Sequence, residues 1–492
     1  MTHNLSEPDN GTGNDDGRSQ RALMTHEPTP ASYALNVILG FGLLGALLVS
    51  IWTFGGFTAN RQTELLTTKH GLNFRLFSGI SILAQGKMIA LVAIAFGAGI
   101  VMFFQRKNIS GRLSNGDRFV RRQLWLIVLG ILNGIVFLWT EDVLFHFGIM
   151  GILLLPFFRL SSKALLIASL VTALIFSAKH YWNFSDDRGS FKKYVAVIAA
   201  EKKIKEDSIK RAGIKDSLAA KTFAAVKTDT LTKKQKDEKA AWEGIVAGKK
   251  FDPKKDEAAF KAMRAYQYGK LYNHLMGATQ AREAQWTYRF GIWDLSSMIF
   301  LGMALFGFGF FSSRFNNGQY FLIAVGGIGA ALLLGWHRFY FHIEALRDYQ
   351  KFAASHYLPY DVFFAFEQWF MALGYAGGIM GIISAGWLKV VLRSLNAVGR
   401  MAVTNYIMQS IICGLFFTGF GMGNFGRLQQ YQLYFVVLEI WIFQIIFSVL
   451  WLRRYEEGPV EWVWRCLTYG AILPIRRKTN NQITAESPLA DL

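Results

Sequence analysis

Asp142 and His146 stand four residues apart in the run Trp139-Thr-Glu-Asp-Val-Leu-Phe-His146. On a helix that spacing puts both side chains on one face. A carboxylate beside an imidazole orients it and raises its basicity, which suits a general base. Glu141 and Asp142 also fall where a short loop is expected, so solvated loop charges are the alternative. Asn133 lies upstream of the pair, inside an apolar stretch.

A second group sits in Gly399-Arg400-Met-Ala-Val-Thr-Asn405-Tyr-Ile-Met-Gln409-Ser410. Asn405 and Gln409 share a helix face. Amides are costly in lipid, so that face must turn inward, either to line a pathway or to bond another helix. Arg400 has the planar fork that suits a phosphate or carboxylate. Arg465, in the run Glu461-Trp-Val-Trp-Arg465, is a second cation for the same mouth. Anchoring of an interfacial helix by its Trp, Arg and Tyr residues is the other reading of that run. Other signals fail. Gly419-Phe-Gly421-Met-Gly423 follows no strand and opens no nucleotide-binding helix. His337 and His342 have no Cys or carboxylate at ligand spacing. Cys413 and Cys466 are isolated, so neither a disulfide nor a metal site is expected.

The elements that must hold these residues are apolar stretches long enough to cross a bilayer, for which roughly 20 residues suffice. They are Leu35 to Phe54, Met88 to Phe104, Leu124 to Trp139, Val143 to Phe158, Ala164 to Phe176, Ile292 to Phe311, Tyr320 to Trp336, Val362 to Trp387, Met401 to Phe420 and Leu433 to Trp451. Every ionisable group inside them needs a reason to be there. The chain has 492 residues, 52% hydrophobic and 15% aromatic, which fits a polytopic helical protein and not a soluble domain. Its 47 glycines fall partly in runs such as Gly326-Gly-Ile-Gly-Ala330 and Gly374-Tyr-Ala-Gly-Gly378, which let helices pack closely.

The net charge of +19 comes without a nucleic-acid motif. Basic residues cluster between the apolar stretches, as the positive-inside rule requires. Arg106, Lys107, Arg112, Arg118, Arg121 and Arg122 mark one loop as cytoplasmic. Counting outward from it puts both chain ends in the cytoplasm. The interval from Gly55 to Lys87 contains Leu76 to Ala84, a candidate re-entrant segment.

Residues 1–33 read as a disordered cytoplasmic tail without a cleavable signal, with Met24 as an alternative start. Residues 34–183 hold the first five spans and 291–452 the last five. Residues 453–492 form an interfacial helix and tail. Residues 184–290 form a Lys-rich helical insert outside the cytoplasm, with a net charge of about +10. Within it Thr232-Lys-Lys-Gln235 reads as a capping box, and Asp252-Pro253 as an N-cap with its first-turn proline. It is either a solvated hairpin extending two membrane helices or a docking surface for an anionic envelope polymer. The fold expected is an all-α transmembrane bundle of about ten spans.

The run from Gly399 to Pro474, with Gly421 to Gly426, Gln444, Ser448 and Gly458-Pro-Val-Glu-Trp-Val-Trp-Arg-Cys-Leu-Thr-Tyr469, resembles the family called domain of unknown function 418, the YeiB-like bacterial membrane proteins. Phe96-Gly-Ala-Gly99, Asp142 and Leu301-Gly-Met-Ala-Leu305 extend the resemblance upstream. It implies Asp and Arg in the first span, where this chain has Asn36 and Leu39, and His in the third, where it has Asn133. The family's architecture is similar to that of membrane acyltransferases, an analogy at the level of fold.

That resemblance implies transfer of an acyl group from cytoplasmic acyl-coenzyme A to an envelope glycan or lipid. His146 would be the base, Asp142 its orienting partner, and Arg400 and Arg465 the receivers of the anionic donor. A transporter lined by Asn405 and Gln409, or an envelope scaffold, are the other function classes. The bilayer of the bacterial cytoplasmic membrane is the expected partner, with no nucleic acid; the sequence does not give the oligomeric state.

Overall fold

The computed structural model describes residues 29–68, 70–105, 114–211, 231–312 and 314–476. The tail up to residue 28, with Met24, and the basic residues Arg106, Lys107 and Arg112 lie outside the described residues.

Each of the ten apolar stretches contains a helix. Helix α1 (Pro30–Phe54) starts on Thr29, whose side chain accepts from the Ser32 N–H, with proline in the first turn. Short helices α2 (Ala59–Thr68) and α3 (Gly71–Leu83) follow. The stretch Leu76 to Ala84 is thus the second half of a helix, joined by a turn at Gly86 to α4 (Lys87–Gln105). Helix α5 (Asn115–Ile135) opens with a capping box between Ser114 and Asp117. Helix α6 (Leu144–Leu153) runs into a 3-10 turn, Leu155–Arg159.

Helix α7 (Ser162–Arg211) is 50 residues long and carries the chain from the bundle into the insert without a break. In the insert, α8 (Lys233–Lys249) starts on the Thr232–Gln235 capping box and α9 (Pro253–Met263) on Asp252. Helix α10 (Tyr268–Gln280) then widens into a π-helix, Ala281–Gly291, that leads straight into α11 (Ile292–Gly307). The remaining helices are α12 (Asn317–Arg347), α13 (Tyr349–Ser355), α14 (Phe364–Ala385), α15 (Lys389–Arg400), α16 (Ala402–Phe417), α17 (Gln430–Arg454) and α18 (Pro459–Tyr469). Among the described residues the extended backbone amounts to one isolated bridge, Tyr455 to Arg476.

Six helical segments among the described residues are long and apolar enough to cross a membrane: Pro30–Phe54, Gly71–Gln105, Ser162–Asp207, Tyr268–Gly307, Asn317–Arg347 and Gln430–Arg454. Leu144–Leu153 and Ala402–Phe417 are shorter apolar helices. This is an all-α bundle of a multi-pass membrane protein.

Helix α1 is central, packed on α4, α15, α16 and α17, while α11 lies between α4 and α7. Close approach depends on missing side chains. A Cβ on Gly327 would meet the Phe370 carbonyl at 2.7 Å, and one on Gly374 the Ile328 nitrogen at 2.8 Å. The two glycine runs of α12 and α14 therefore face each other, backbone to backbone. Likewise a Cβ on Gly399 would stand 1.8 Å from the Asn36 carbonyl oxygen, and one on Gly40 2.1 Å from that of Leu395.

The insert is more than a solvated hairpin. Helices α7 and α8 do pair, but α9 and α10 return to cover one end of the bundle. Asp256 is buried there and accepts from Thr58 Oγ1 at 2.9 Å and Asn60 Nδ2 at 3.0 Å. Arg264 Nε donates to the Phe425 carbonyl at 2.7 Å, and Tyr268 donates to the Ile135 carbonyl at 2.9 Å.

Candidate functional site

Beneath that cover lies a cluster of buried polar side chains. Asp142 is buried, and its two oxygens accept from Asn133 Nδ2 and the Phe145 N–H, each at 2.8 Å. The Asp142 carboxylate therefore does not orient the His146 ring. Residues four apart share a face only inside one helix, and α6 begins at Leu144. Asp142 stands before that start and acts as a cap on it. Asn133 is the partner that spacing could not reveal, because it comes from the neighbouring helix α5. Glu141 is exposed.

His146 is 1% exposed, and its ring nitrogens make no hydrogen bond of good geometry, only looser approaches to the backbone of Arg282 and Asp142. A buried imidazole in that state is unusual, since buried polar groups are ordinarily paired. The π-helix supplies its surroundings. Trp286 meets the imidazole edge-on with ring centroids 5.5 Å apart. The Arg282 guanidinium carbon lies 3.5 Å from the indole centroid, a close cation–π contact. Arg282 is within electrostatic reach of Glu141, Asp142, Asp294 and Tyr406. Asn133 Oδ1, Arg282 Nε, Glu283 Oε1 and Asp294 Oδ1 are also buried and unpartnered among the described residues. Tyr406 closes the cluster, its hydroxyl accepting from Trp139 Nε1 at 2.9 Å and the Val143 N–H at 3.1 Å. Wide π-turns recur at functional sites.

A second buried group lies on α4, α12 and α14. Arg338 grips Glu367 with Nε to Oε2 at 2.7 Å and Nη2 to Oε1 at 3.3 Å, while Lys87 forms a close ion pair with the same carboxylate. The Ser81 carbonyl accepts from Lys87 Nζ at 3.0 Å and Arg338 Nη2 at 3.2 Å. Both cations also face the Phe364 ring. Gln368, next to Glu367, bonds Asp294 and so joins this group to the first. Motif reading missed Arg282, Trp286, Asp294, Lys87, Arg338 and Glu367. A signal was there for two of them: Asp294 and Glu367 are acidic residues inside apolar stretches.

The remaining sequence candidates make hydrogen bonds and ion pairs within the bundle. Asn405 Nδ2 donates to Ser448 Oγ at 2.9 Å and the Val398 carbonyl at 3.1 Å. Gln409 Nε2 donates to Gln444 Oε1 at 3.0 Å, and Gln444 Nε2 to the Asn405 carbonyl at 2.7 Å. These amides tie α16 to α17, while Asn405 Oδ1 is buried and unpartnered among the described residues. Arg400 donates to the Glu456 carbonyl. Arg465 is paired with Glu457 at 2.7 Å and donates to the Pro474 carbonyl at 3.1 Å. Neither forms an open anion-receiving mouth, because the segment after α17 folds back over both. Glu461 caps α16 by accepting from the Val403 and Thr404 N–H groups at 2.7 and 3.0 Å. Burial pushes its carboxyl above the ordinary range. Arg122 lies over the Trp464 ring at 4.2 Å, and Trp464 Nε1 donates to the Arg122 carbonyl at 2.8 Å. Both cysteines are free thiols.

The motif built around Gly399, Thr404, Glu461 and Trp464 is therefore an interlock of α15, α16 and α18. Residues 301–471 match the family described as protein of unknown function (DUF418). The chain is DUF418-like and YeiB-like. It is 25% identical over 461 residues to the uncharacterized protein YeiB of Escherichia coli (strain K12), covering 91% of this chain and 98% of that one. It is 24% identical over 470 residues to the uncharacterized protein YxaH of Bacillus subtilis (strain 168), covering 90% and 96%. No solved structure matches. The matched DUF418 region contains Arg338, Glu367 and Tyr406, whereas His146, Arg282 and Asp294 precede it. The buried cluster is thus assembled from both sides of that boundary.

Proposed function

We propose that the protein is an acyltransferase-like enzyme of the bacterial cytoplasmic membrane, with both chain ends in the cytoplasm and the insert on the far side. An acyl group would pass from cytoplasmic acyl-coenzyme A to an envelope glycan or lipid. The observation that carries this reading is His146, buried beneath the insert beside a cation, with only loose backbone approaches to its ring nitrogens. Its imidazole takes a proton from the acceptor as the acceptor attacks the acyl carbon, and returns one to the leaving thiolate. Asp142 is a positioning residue that holds Asn133 and the start of α6, which carries His146. Arg282 is the cation beside the imidazole, and it stabilises the negative charge that develops on the acyl oxygen during attack.

The test is purified protein in liposomes of bacterial lipid extract with radiolabelled acyl-coenzyme A. Label should move to lipid or glycan, and His146→Gln should cut the rate by about 100-fold or more. Absence of transfer by the unaltered protein sinks the reading.

A second reading, a transporter, draws on the buried Lys87, Arg338 and Glu367, since charges inside a bundle mark ion and substrate pathways. Solute flux in proteoliposomes that Glu367→Gln abolishes would favour it.

A further inference from the structure

We infer that the group received beside His146 is a primary amine. The inference rests on the acyl-transfer reading and names its acceptor. In the cluster that holds Arg282, Asn133 Oδ1, Glu283 Oε1 and Asp294 Oδ1 are buried and unpartnered among the described residues, with Glu283 Oε1 set against Gly134, next to Asn133. All three are oxygens that accept. On the donor side stand Arg282 Nε and the single N–H of a neutral imidazole. A ligand that satisfies this set must bring more donors than acceptors. Charge points the same way. Asp142 and Glu283 are within reach of one another, and Arg282 is within reach of Asp142 and Asp294 but is not among the groups acting on Glu283. An ammonium carries one positive charge and three donors on one atom. A hydroxyl brings one donor and no charge.

The chemistry balances. The ammonium gives one proton to a carboxylate on entry and a second to His146 as its nitrogen attacks the thioester carbon. A C–N bond forms and the C–S bond breaks. The thiolate leaves with the proton from His146, and one proton is released overall.

The test uses the full-length protein in detergent, with ethanolamine and its diol counterpart ethylene glycol as probes. Ethanolamine should raise the melting temperature in a saturable way, and ethylene glycol at equal concentration should not. Glu283→Gln combined with Asp294→Asn should weaken ethanolamine binding about tenfold or more. If that double variant loses its helical circular dichroism, Glu283→Gln alone serves. Equal response to both probes, or ethanolamine binding untouched by the variants, overturns the inference. A second arm compares nanodiscs of phosphatidylethanolamine and phosphatidylglycerol. Stabilisation by the former marks a lipid headgroup as the source, stabilisation by free ethanolamine alone marks a soluble amine, and stabilisation by neither overturns the inference. Amine binding without acyl transfer would sink the enzyme reading and leave the amine site standing.

Discussion

Arg282 lays its guanidinium on the face of Trp286, 3.5 Å from the ring centre, and Trp286 meets His146 edge-on. The indole thus fixes a cation close to a buried imidazole. Both Arg282 and Trp286 belong to the π-helix that joins the insert to α11. The polar cluster is therefore built where the insert meets the bundle.

The buried ion group should respond unequally to loss of its members. Glu367→Ala leaves Lys87 and Arg338 facing one another without a counter-charge, and should cost about 3–5 kcal/mol. Lys87→Met leaves a one-to-one pair of Arg338 with Glu367 and should cost clearly less. Denaturant unfolding of the two variants in the same detergent checks the order; equal losses would refute it.

Burial pushes the Asp142 carboxyl, in the loop between α5 and α6, up to about 7. An unfolded Asp titrates near pH 4. The folded state holds the proton more tightly, so the stability linked to this group is full below about pH 4 and is lost as pH rises through about 7. Melting temperature should fall across that window, and Asp142→Asn should flatten the fall. An unchanged slope in the variant would assign it to another group.

A methyl group on Gly399 has no room against the Asn36 carbonyl. Gly399→Ala should therefore force α15 away from α1 and cost about 1–3 kcal/mol or more. Gly326→Ala, where a Cβ meets nothing within 4 Å, should be tolerated. Thermal unfolding of both variants decides the matter.

Asp256 holds the insert to the bundle through Thr58 and Asn60. Asp256→Ala should cost about 1–3 kcal/mol locally, since two donors lose their acceptor. Amide exchange should quicken in α9 and leave α8 unaffected. Exchange that quickens equally in both helices would mean the insert unfolds as one unit.

Much of the local structure could be read along the chain, because its causes are local. Apolar runs, the Thr232–Gln235 box and the Asp252-Pro253 start each act within a few residues, and all became helices or helix starts. The all-α membrane bundle and its DUF418-like signature were legible in the same way. The facing glycine runs of α12 and α14 were legible as packing surfaces, but not as partners of each other.

Tertiary structure decided how the polar side chains are used. Asp142 bonds Asn133 on another helix instead of the imidazole four residues on, and Arg400 and Arg465 are taken up by the returning C-terminal segment. Trp286 and Arg282, about 140 residues from His146 along the chain, reach it because α10 and the π-helix fold back over the bundle. Helix periodicity reports which face a residue takes, and contact with a distant element sets which partner meets that face. The first is determined by nearest neighbours in sequence; the second depends on how whole helices pack.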